Sequence, residues 1–372
     1  MRKKTKLANI CDLIDEKILL NKIINHNLFK MNYISTENML PDKNGIIPPK
    51  SIPSIGKGCK YKTNDTLLSN IRPYFKKIWL AKNEGACSND VLIFRAKESY
   101  YHDFLYYNLA NDAFFEYAMK TSKGTKMPRG DKTAIKQYDI YDFDYRTQQK
   151  LTKLLRLLDD KIELNRQINT NLEQQAQAIF KEMFIQKKGK PVLLSDFCDF
   201  IKGKNPAVIT STYQTGAAFY LNIDSLTDIK QTYAIPKNFA MANVKDILMV
   251  MDGASSGTVY FGKEGIIGST LAKIVVSDLS MQEVIYQTLK YFENDVRSHT
   301  TGSAIPHVDK QYILQLSVSL PDDYQLYSAY FETIRNMMIK NRTKNICLST
   351  LRDTLLPKLM SGEIDVSKIE VD

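Results

Sequence analysis

Residues 147–184 read TQQKLTKLLRLLDDKIELNRQINTNLEQQAQAIFKEMF, and this stretch decides the fold. Selected side chains recur in alternating steps of four and three, and no glycine or proline interrupts them. Such a heptad pattern predicts a helix that packs along another helix. At about 1.5 Å per residue the helix would be on the order of 50 Å long. The seam positions are Leu151, Leu155, Leu158, Ile162, Asn165, Asn169 and Leu172, continuing through Ala176, Ile179 and Met183.

A second seam with the same spacing lies near the C-terminus, shifted by 176 positions. It predicts the helix against which the first one packs. Pro357 would remove one backbone donor from this helix, so we expect a break near it, with Gly362 as the stop signal. The seam is less regular at Arg352. Its positions are Tyr327, Phe331, Ile334, Met338, Asn341, Asn345, Leu348, Arg352, Leu355 and Leu359.

Both seams place asparagine at two consecutive positions, Asn165 and Asn169 in the first and Asn341 and Asn345 in the second. Two interpretations are open. The amides could face solvent where the stripe rotates locally, or they could hydrogen-bond across the seam. In the second case they lower stability but fix the register, because a slipped pairing leaves a buried amide unsatisfied.

The rest of the chain repeats as well. Leu7, Cys11, Asp12 and Ile14 return 187 positions later as Leu194, Cys198, Asp199 and Ile201. GTKMPRGD, from Gly124, is matched 178 positions later by GSAIPHVD, and Asn165-Arg166 is matched 176 positions later by Asn341-Arg342. Ordered anchors with a gradually shrinking offset predict a duplicated unit, at a period too long for a solenoid.

The length of 372 residues and the repeat predict two similar domains, each followed by a helix. The fold class we expect is α+β, with an antiparallel coiled coil of the two long helices between the domains and a pseudo-two-fold internal repeat. VLIFRA, from Val91, and LAKIVVS, from Leu271, predict strands, and residues 102–120 and 281–295 predict amphipathic helices. The expected boundaries are 1–145 for the first domain, 146–187 for the central helix, 188–320 for the second domain and 321–372 for the C-terminal helix.

Loop-like clusters at corresponding places in the two domains are the candidate DNA-binding sites. Basic side chains neutralise phosphates, hydroxyl groups fix position, and Arg, Lys and His can read base edges. A solvated loop that merely contains lysines is the plain alternative for any single residue. The first domain supplies Arg72, Tyr74, Lys76, Lys77, Lys123, Thr125, Lys126 and Arg129. The second supplies Ser255, Ser256, Thr258, Thr300, Ser303 and His307.

Composition narrows the class of protein. A formal net charge of +10 favours a polyanionic partner, although an ordinary soluble basic protein can have the same balance. Five cysteines without a CxxC spacing predict a reducing compartment, and we expect a cytoplasmic protein without a membrane partner.

Chemical motifs are incomplete. GTVYFGK, from Gly257, resembles a phosphate-binding loop, but Glu264 follows where Ser or Thr should stand. The four histidines show no metal-ligand spacing, so we expect no metal site and no catalysis by this chain.

The residues resemble one known family, the specificity subunit of Type I restriction–modification systems. The resemblance rests on LLDDKIELNRQINTNLEQQAQAIFKEMF, from Leu157, and LRDTLLPKLMSGEIDV, from Leu351, which are similar to the helical regions of that family. LLSNIRPYFKK, from Leu67, and GTKMPRGDK, from Gly124, are similar to segments of its target recognition domains. The loops of the second domain carry fewer basic residues, which weakens the assignment of phosphate contacts there.

The resemblance implies a non-catalytic subunit that reads a bipartite double-stranded DNA target, one domain per half-site. It implies two modification (methyltransferase) subunits docked on the helices, and restriction motor–nuclease subunits beyond them. Those partners would carry S-adenosylmethionine, ATP and magnesium, and this chain would carry no cofactor. The alternative from a different class is a coiled-coil scaffold protein that does not read sequence, which the heptads alone would also support.

Overall fold

The structure is a computed structural model that describes residues 3–21, 32–49, 51–53, 55–227, 231–302 and 305–370. The chain divides into two compact units. The first unit comprises Met1–Glu163 and Asn345–Asp372, and the second comprises Leu164–Lys344. Each unit therefore contains a sheet-rich region and a part of each long helix.

The first unit contains ten strands, a 3₁₀ helix over Pro73–Phe75 and five α-helices with described bounds, the last of which continues into the second unit. The strands are β1 (Lys4–Lys6), β2 (Cys11–Ile14), β3 (Lys17–Leu19), β4 (Tyr33–Ile34), β5 (Lys57–Tyr61), β6 (Thr66–Ser69), β7 (Ile78–Leu80), β8 (Gly85–Cys87), β9 (Val91–Ala96) and β10 (Asp139–Tyr141). The helices are α1 (Leu7–Ile10), α2 (His102–Ala110), α3 (Asp112–Lys120), α4 (Lys132–Lys136) and α5 (Tyr145–Phe180).

The strands of the first unit form two four-stranded sheets and one two-stranded ladder. One sheet is antiparallel, in the order β2-β9-β6-β7. The other has the order β3-β5-β8-β4, in which β4 and β8 run parallel. β1 pairs with β10 and so brings the start of the chain to the segment that leads into α5. The core joins the first sheet to both long helices through Leu68, Phe104, Leu155, Leu356 and Leu359.

The second unit repeats this inventory. Its strands are β11 (Lys190–Leu193), β12 (Cys198–Lys202), β13 (Ala218–Leu221), β14 (Tyr233–Ala234), β15 (Met241–Ala242), β16 (Ile247–Val250), β17 (Val259–Tyr260), β18 (Gly265–Ile267), β19 (Leu271–Val276) and β20 (Ser317–Leu320). Its helices are α6 (Ile223–Leu226), α7 (Gln282–Tyr291), α8 (Glu293–Ser298), α9 (Lys310–Leu314) and α10 (Tyr324–Met360), and α10 ends in the first unit.

The sheets of the second unit follow the same plan. One sheet is antiparallel, in the order β12-β19-β16-β17. The other has the order β14-β13-β18-β15, in which β13 and β18 run parallel. The two-stranded ladder is formed by β11 and β20. The core again unites sheet and helices, here through Phe180, Phe184, Met249, Phe331 and Ile334. The predicted α+β fold with an internal repeat and two long helices is confirmed.

Within each unit the two long helices pair in antiparallel directions. In the first unit Asn345 Nδ2 donates to Ile162 O at 3.2 Å. In the second unit Asn169 Nδ2 donates to Met338 O at 3.1 Å, and Asn341 Nδ2 donates to Asn169 Oδ1 at 2.9 Å. The interpretation in which amides bond across the seam is therefore the correct one for these three residues.

The seam positions predicted from the heptads lie at the helix pairing. The half-buried positions are Asn169, Leu172, Asn341, Asn345 and Leu348. The fully buried positions are Leu151, Leu155, Leu158, Ile162, Asn165, Ile334 and Met338. Arg352, the irregular position, is buried because its guanidinium bonds Asp159 at 2.7 Å and Asp353 at 3.0 Å.

Three sequence predictions about helix ends were wrong. α10 does not break at Pro357 but continues to Met360, because proline removes only one donor and the exposed site tolerates the ring. Gly362 is the stop signal as predicted, with φ of +68° and its amide bonded to Leu359 O. The helix predicted over residues 102–120 is two helices, separated at Asn111, whose extended backbone and side-chain bond to Ala113 N cap α3. The helix predicted over residues 281–295 is likewise two helices, α7 and α8, separated at Phe292.

Candidate nucleic-acid interface

In the first unit, two loops that are distant in sequence are hydrogen-bonded to one another. We call residues 70–77 and 121–131 the first loop pair. Arg72 N donates to Pro128 O at 2.8 Å, and Gly130 N donates to Asn70 O at 3.1 Å. Within the second of these loops, Lys123 and Arg129 exchange two backbone bonds, both 2.9 Å. The two clusters singled out from the sequence therefore form one surface.

Local sequence explains the shape of the first loop pair. Gly124 has φ of +88°, a conformation that glycine adopts without strain. Asp131 ends the loop as the N-cap of α4, its Oδ1 accepting from Thr133 N and Ala134 N at 2.8 and 3.2 Å. Arg72 and Lys76 also have φ of +50°, which costs free energy in a residue with a Cβ.

The predicted residues of the first unit differ in their availability. Lys76 Nζ bonds Asp112 Oδ2 at 2.9 Å, and Lys77 Nζ donates to Thr36 O at 2.7 Å. Burial lowers the pKa of Lys77, so this side chain supports the loop instead of reaching outward. The exposed members of the set are Arg72, Tyr74, Lys123, Thr125, Lys126 and Arg129.

Carboxylates orient two of the exposed cations. Lys123 Nζ lies 2.6 Å from Asp131 Oδ2, and Arg129 Nη2 lies 3.2 Å from Asp90 Oδ1. The hydrogen bond from Lys123, followed by the backbone amides of α4, holds the pKa of Asp131 below its usual value. A cation fixed by one carboxylate keeps further donors for a phosphate or a base edge.

In the second unit the corresponding loops meet in the same way. We call residues 251–258 and 299–309 the second loop pair. Gly253 N donates to Pro306 O at 2.9 Å, and Val308 N donates to Met251 O at 2.9 Å. Asp309 caps α9 as Asp131 caps α4, accepting from Gln311 N and Tyr312 N at 2.9 and 3.2 Å.

The predicted residues of the second unit have different roles. Ser256 is buried, and its hydroxyl donates to Gly253 O and Pro306 O, so it ties the two loops together. His307 is exposed, whereas Ser255, Thr258 and Thr300 are half-buried. Ser303 lies outside the described residues.

A short network that sequence reasoning missed surrounds Asp252. Its carboxylate accepts from His307 Nδ1 at 2.7 Å and from Lys202 Nζ at 2.9 Å. Burial is the largest influence on the pKa of Asp252 and raises it, but the hydrogen bonds from His307 and Lys202 together hold it below its usual value. Lys202 ends β12, far from the loops in sequence, and no spacing pattern pointed to it.

Beyond the loops, apolar side chains are exposed on the long helices. Leu154 and Leu157 of α5 are three positions apart, and Leu326, Tyr330 and Met337 of α10 are spaced by four and seven, so the members of each of these two groups lie on one face of their helix. Ile346 and Leu351, five positions apart on α10, do not share a face. In the first unit they are Leu154, Leu157, Ile346 and Leu351, which are 37, 59, 54 and 47% exposed. In the second unit they are Leu164, Leu326, Tyr330 and Met337.

The arrangement is suited to binding a polyanion. Among the described residues no group of His, Cys, Asp or Glu could hold a metal ion. Cationic side chains on hydrogen-bonded loops can neutralise phosphates. Hydroxyl groups on the same loops can donate hydrogen bonds to phosphates or to base edges. No helix in the described part of the chain is long and apolar enough to cross a membrane.

Comparison with known proteins gives a consistent result. The sequence profile of the Type I restriction modification DNA specificity domain matches residues 187–346. The chain is 33% identical over 148 residues to the Type I restriction enzyme MjaVIII specificity subunit of Methanocaldococcus jannaschii, a match that covers 38% of this chain and 35% of the relative. It is 22% identical over 340 residues to the MjaIX specificity subunit of the same organism, covering 82% of this chain and 78% of that one.

A solved structure agrees on the fold. The S subunit of a Type I restriction–modification system from M. genitalium has a TM-score of 0.54 at 15% identity, with 97% of this chain and 96% of that chain covered. The HindI specificity subunit of Haemophilus influenzae is 34% identical over 128 residues, which covers 30% of this chain and 28% of the relative. The resemblance predicted from the helices and loops is therefore confirmed.

Proposed function

We propose that the chain is the DNA-recognition subunit of a Type I system, because residues 187–346 match the Type I restriction modification DNA specificity domain. Each unit reads one half of a bipartite double-stranded target through its loop pair. The comparisons lend no support to the alternative, a scaffold that does not read sequence.

One observation carries the proposal. Each unit hydrogen-bonds two sequence-distant loops by the same scheme, Arg72 N to Pro128 O in the first and Gly253 N to Pro306 O in the second. The scheme is common to both units, whereas the side chains it presents differ, Arg129 in one and His307 in the other. A constant frame with different donors is what two half-sites of different sequence require.

We propose that the exposed apolar faces of the long helices, centred on Leu157 and on Met337, bind two methyltransferase subunits. Exposed apolar side chains gathered on one helix face mark protein interaction sites more often than scattered ones do. Those subunits would hold S-adenosylmethionine, and restriction motor–nuclease subunits would add ATP and magnesium. The chain itself would perform no catalysis, and the complex would act in the cytoplasm.

Methylation mapping tests the recognition role. Genomic DNA is sequenced for modified bases from cells that carry the methyltransferase partner with and without this chain. We expect a bipartite motif to be modified only when the chain is present. Replacing residues 188–320 by the same region of another specificity subunit should change one half of the motif and leave the other. Identical modification with and without the chain would refute the proposal.

Docking is tested separately with Leu157→Asp, which adds a charge to an exposed position and so leaves the core intact. Co-purification of the methyltransferase subunit should fall severalfold, while DNA binding by the chain remains. Leu279→Asp, at a position that is 76% exposed in the second unit, is the matched control. Equal co-purification by both variants would remove the helix face from the proposal.

A further inference from the structure

Among the described residues, the turn of each loop pair carries one large exposed apolar side chain. Met127 is 44% exposed and Ile305 is 56% exposed. The two residues are 178 positions apart, the same step that relates the surrounding glycines, prolines and aspartates. They therefore occupy the same place in the two units.

A single exposed apolar residue is ordinary and calls for no explanation. Here the surroundings make the pair unusual. The neighbouring side chains change between the units, from Lys123 to Thr301 and from Arg129 to His307, while this position stays apolar. A loop tip that contacts only water would gain nothing from an apolar side chain. The apolar side chain is nevertheless present in both units, although the charge of its neighbours differs between them.

The backbone holds both side chains at defined places. Two backbone bonds close each turn, at 2.9 and 2.9 Å in the first unit and at 2.8 and 2.7 Å in the second. Ile305 O lies 2.6 Å from where a Cβ on Gly302 would stand, so glycine is required there. In the first unit, where every residue of the turn is described, a closed turn followed by proline and a capped helix presents its tip with little freedom to lose on binding.

Duplex DNA offers apolar surface in its grooves, above all the C5-methyl group of thymine. Its phosphates are charged and hydrated and offer an apolar side chain no favourable contact. We propose that Met127 and Ile305 pack on base edges in the groove, while Arg72 and Lys126 in the first unit bind the phosphate backbone. This inference rests on the proposed function, because it needs the loop pairs to face DNA. If it holds, part of the discrimination between DNA sequences comes from apolar contacts, and that part does not depend on counterion release.

Salt dependence separates this contact from a phosphate contact. The full chain is titrated with a duplex recovered by the wild type from a random-sequence library, and with copies in which either half-site is scrambled. We expect Met127→Ala to weaken binding to the intact duplex about fivefold or more, the range of one mismatched base pair. The slope of log K against log salt should not change, and the loss should vanish when the half-site read by the first unit is scrambled.

Matched variants make the outcome decisive. Ile305→Ala should behave alike with the other half-site, Met127→Leu should restore binding, and Leu279→Ala should change nothing. Lys126→Ala, next to Met127, should instead reduce the salt slope by about one. If Lys126→Ala acts but Met127→Ala does not, or if Met127→Ala weakens all duplexes equally, the apolar contact is refuted. If the wild type selects no sequence from the library, the proposed function fails instead.

Discussion

The two units share one plan of strands and differ in where they add to it. In the first unit the extra strand β3 pairs with β5, at one edge of the mixed sheet. In the second unit the extra strand β14 pairs with β13, at the opposite edge. The antiparallel sheets, the terminal ladders and the capped helices after the loops correspond one to one. The units therefore keep the antiparallel sheet that leads into the loop pairs and differ at the edges of the mixed sheet.

A second difference lies where the helix that follows β9 in the first unit, or β19 in the second, meets a long helix. Each unit buries an acid there, Asp103 in α2 and Glu283 in α7, against an arginine of the neighbouring helix. Arg335 and Glu283 are both about 5% exposed and directly bonded. Arg156 approaches Asp103 only to 3.8 Å and is 34% exposed. The ion pair of the second unit is thus buried, whereas that of the first unit is longer and partly exposed to solvent.

Removing each arginine should give the largest difference between the units. Arg335→Ala leaves Glu283 without its buried partner, and we expect the free energy of unfolding of the second unit to fall by about 4 kcal/mol at pH 8. Arg156→Ala should cost about 1 kcal/mol, because solvent already screens that pair. Hydrogen exchange of the full chain, followed peptide by peptide, measures each unit by itself. Equal losses in the two units would contradict the comparison.

The same pair predicts a pH dependence. Burial, the largest influence, raises the pKa of Glu283 from 4.5 to about 7, with Arg335 acting in the other direction. Between these values the folded state binds more protons than the unfolded state, so stability falls as pH rises. Relative to Glu283→Gln, the wild type should lose about 3 kcal/mol between pH 4.5 and pH 8.

Asp103 gives the comparison in the first unit. Burial raises its pKa as well, with Arg156 and His102 acting the other way. The difference between the wild type and Asp103→Asn should therefore change in the same direction. Urea unfolding followed by hydrogen exchange at both pH values gives the measurement. A wild type whose second unit becomes more stable with rising pH, relative to Glu283→Gln, would contradict the assignment.

The helix seams differ in how they satisfy their amides. In the second unit Asn169 serves both Met338 O and Asn341, whereas in the first unit Asn345 donates to Ile162 O. Asn169→Leu should lower the free energy of unfolding by about 2 kcal/mol, because it leaves the amide of Asn341 and the carbonyl of Met338 without this partner. Asn345→Leu should lower it by about 1 kcal/mol, because only one hydrogen bond to Ile162 O is lost. Thermal or urea unfolding compares the two, and Thr343→Leu, an exposed helix position, is the control.

Sequence reasoning anticipated the elements that depend on periodicity. The heptads located both long helices, and β-rich runs located β9 to the residue and β19 to within one residue. It failed where tertiary packing overrides local preference. Pro357 signalled a break that the packing of Leu356 and Leu359 in the core of the first unit prevents. The domain boundaries at 145, 187 and 320 stay a prediction, since each core draws in a part of both helices.

The candidate site was predictable as a set of residues and not as a surface. Glycine, proline and aspartate at equal offsets marked the loops in both units. No pattern in the chain indicated that residues near Arg72 would hydrogen-bond residues near Pro128, because that contact depends on how β6 and α3 end. Lys202 and Asp90 were missed for the same reason: their partners are brought to them by the sheet.

The smallest effect concerns the charge of the loop pairs. Arg72 is an exposed cation of the first loop pair, and Ser255 is a half-buried hydroxyl of the second. If Arg72 neutralises a phosphate, Arg72→Ala should reduce the slope of log K against log salt by about one, because one fewer counterion is released. Ser255→Ala should leave the slope unchanged, since a neutral donor displaces no counterion. Titrations of the full chain with its target duplex at several salt concentrations provide both slopes. Equal slopes for the two variants would mean that the units hold the backbone alike, and the basic character of the first loop pair would then need another explanation than phosphate binding.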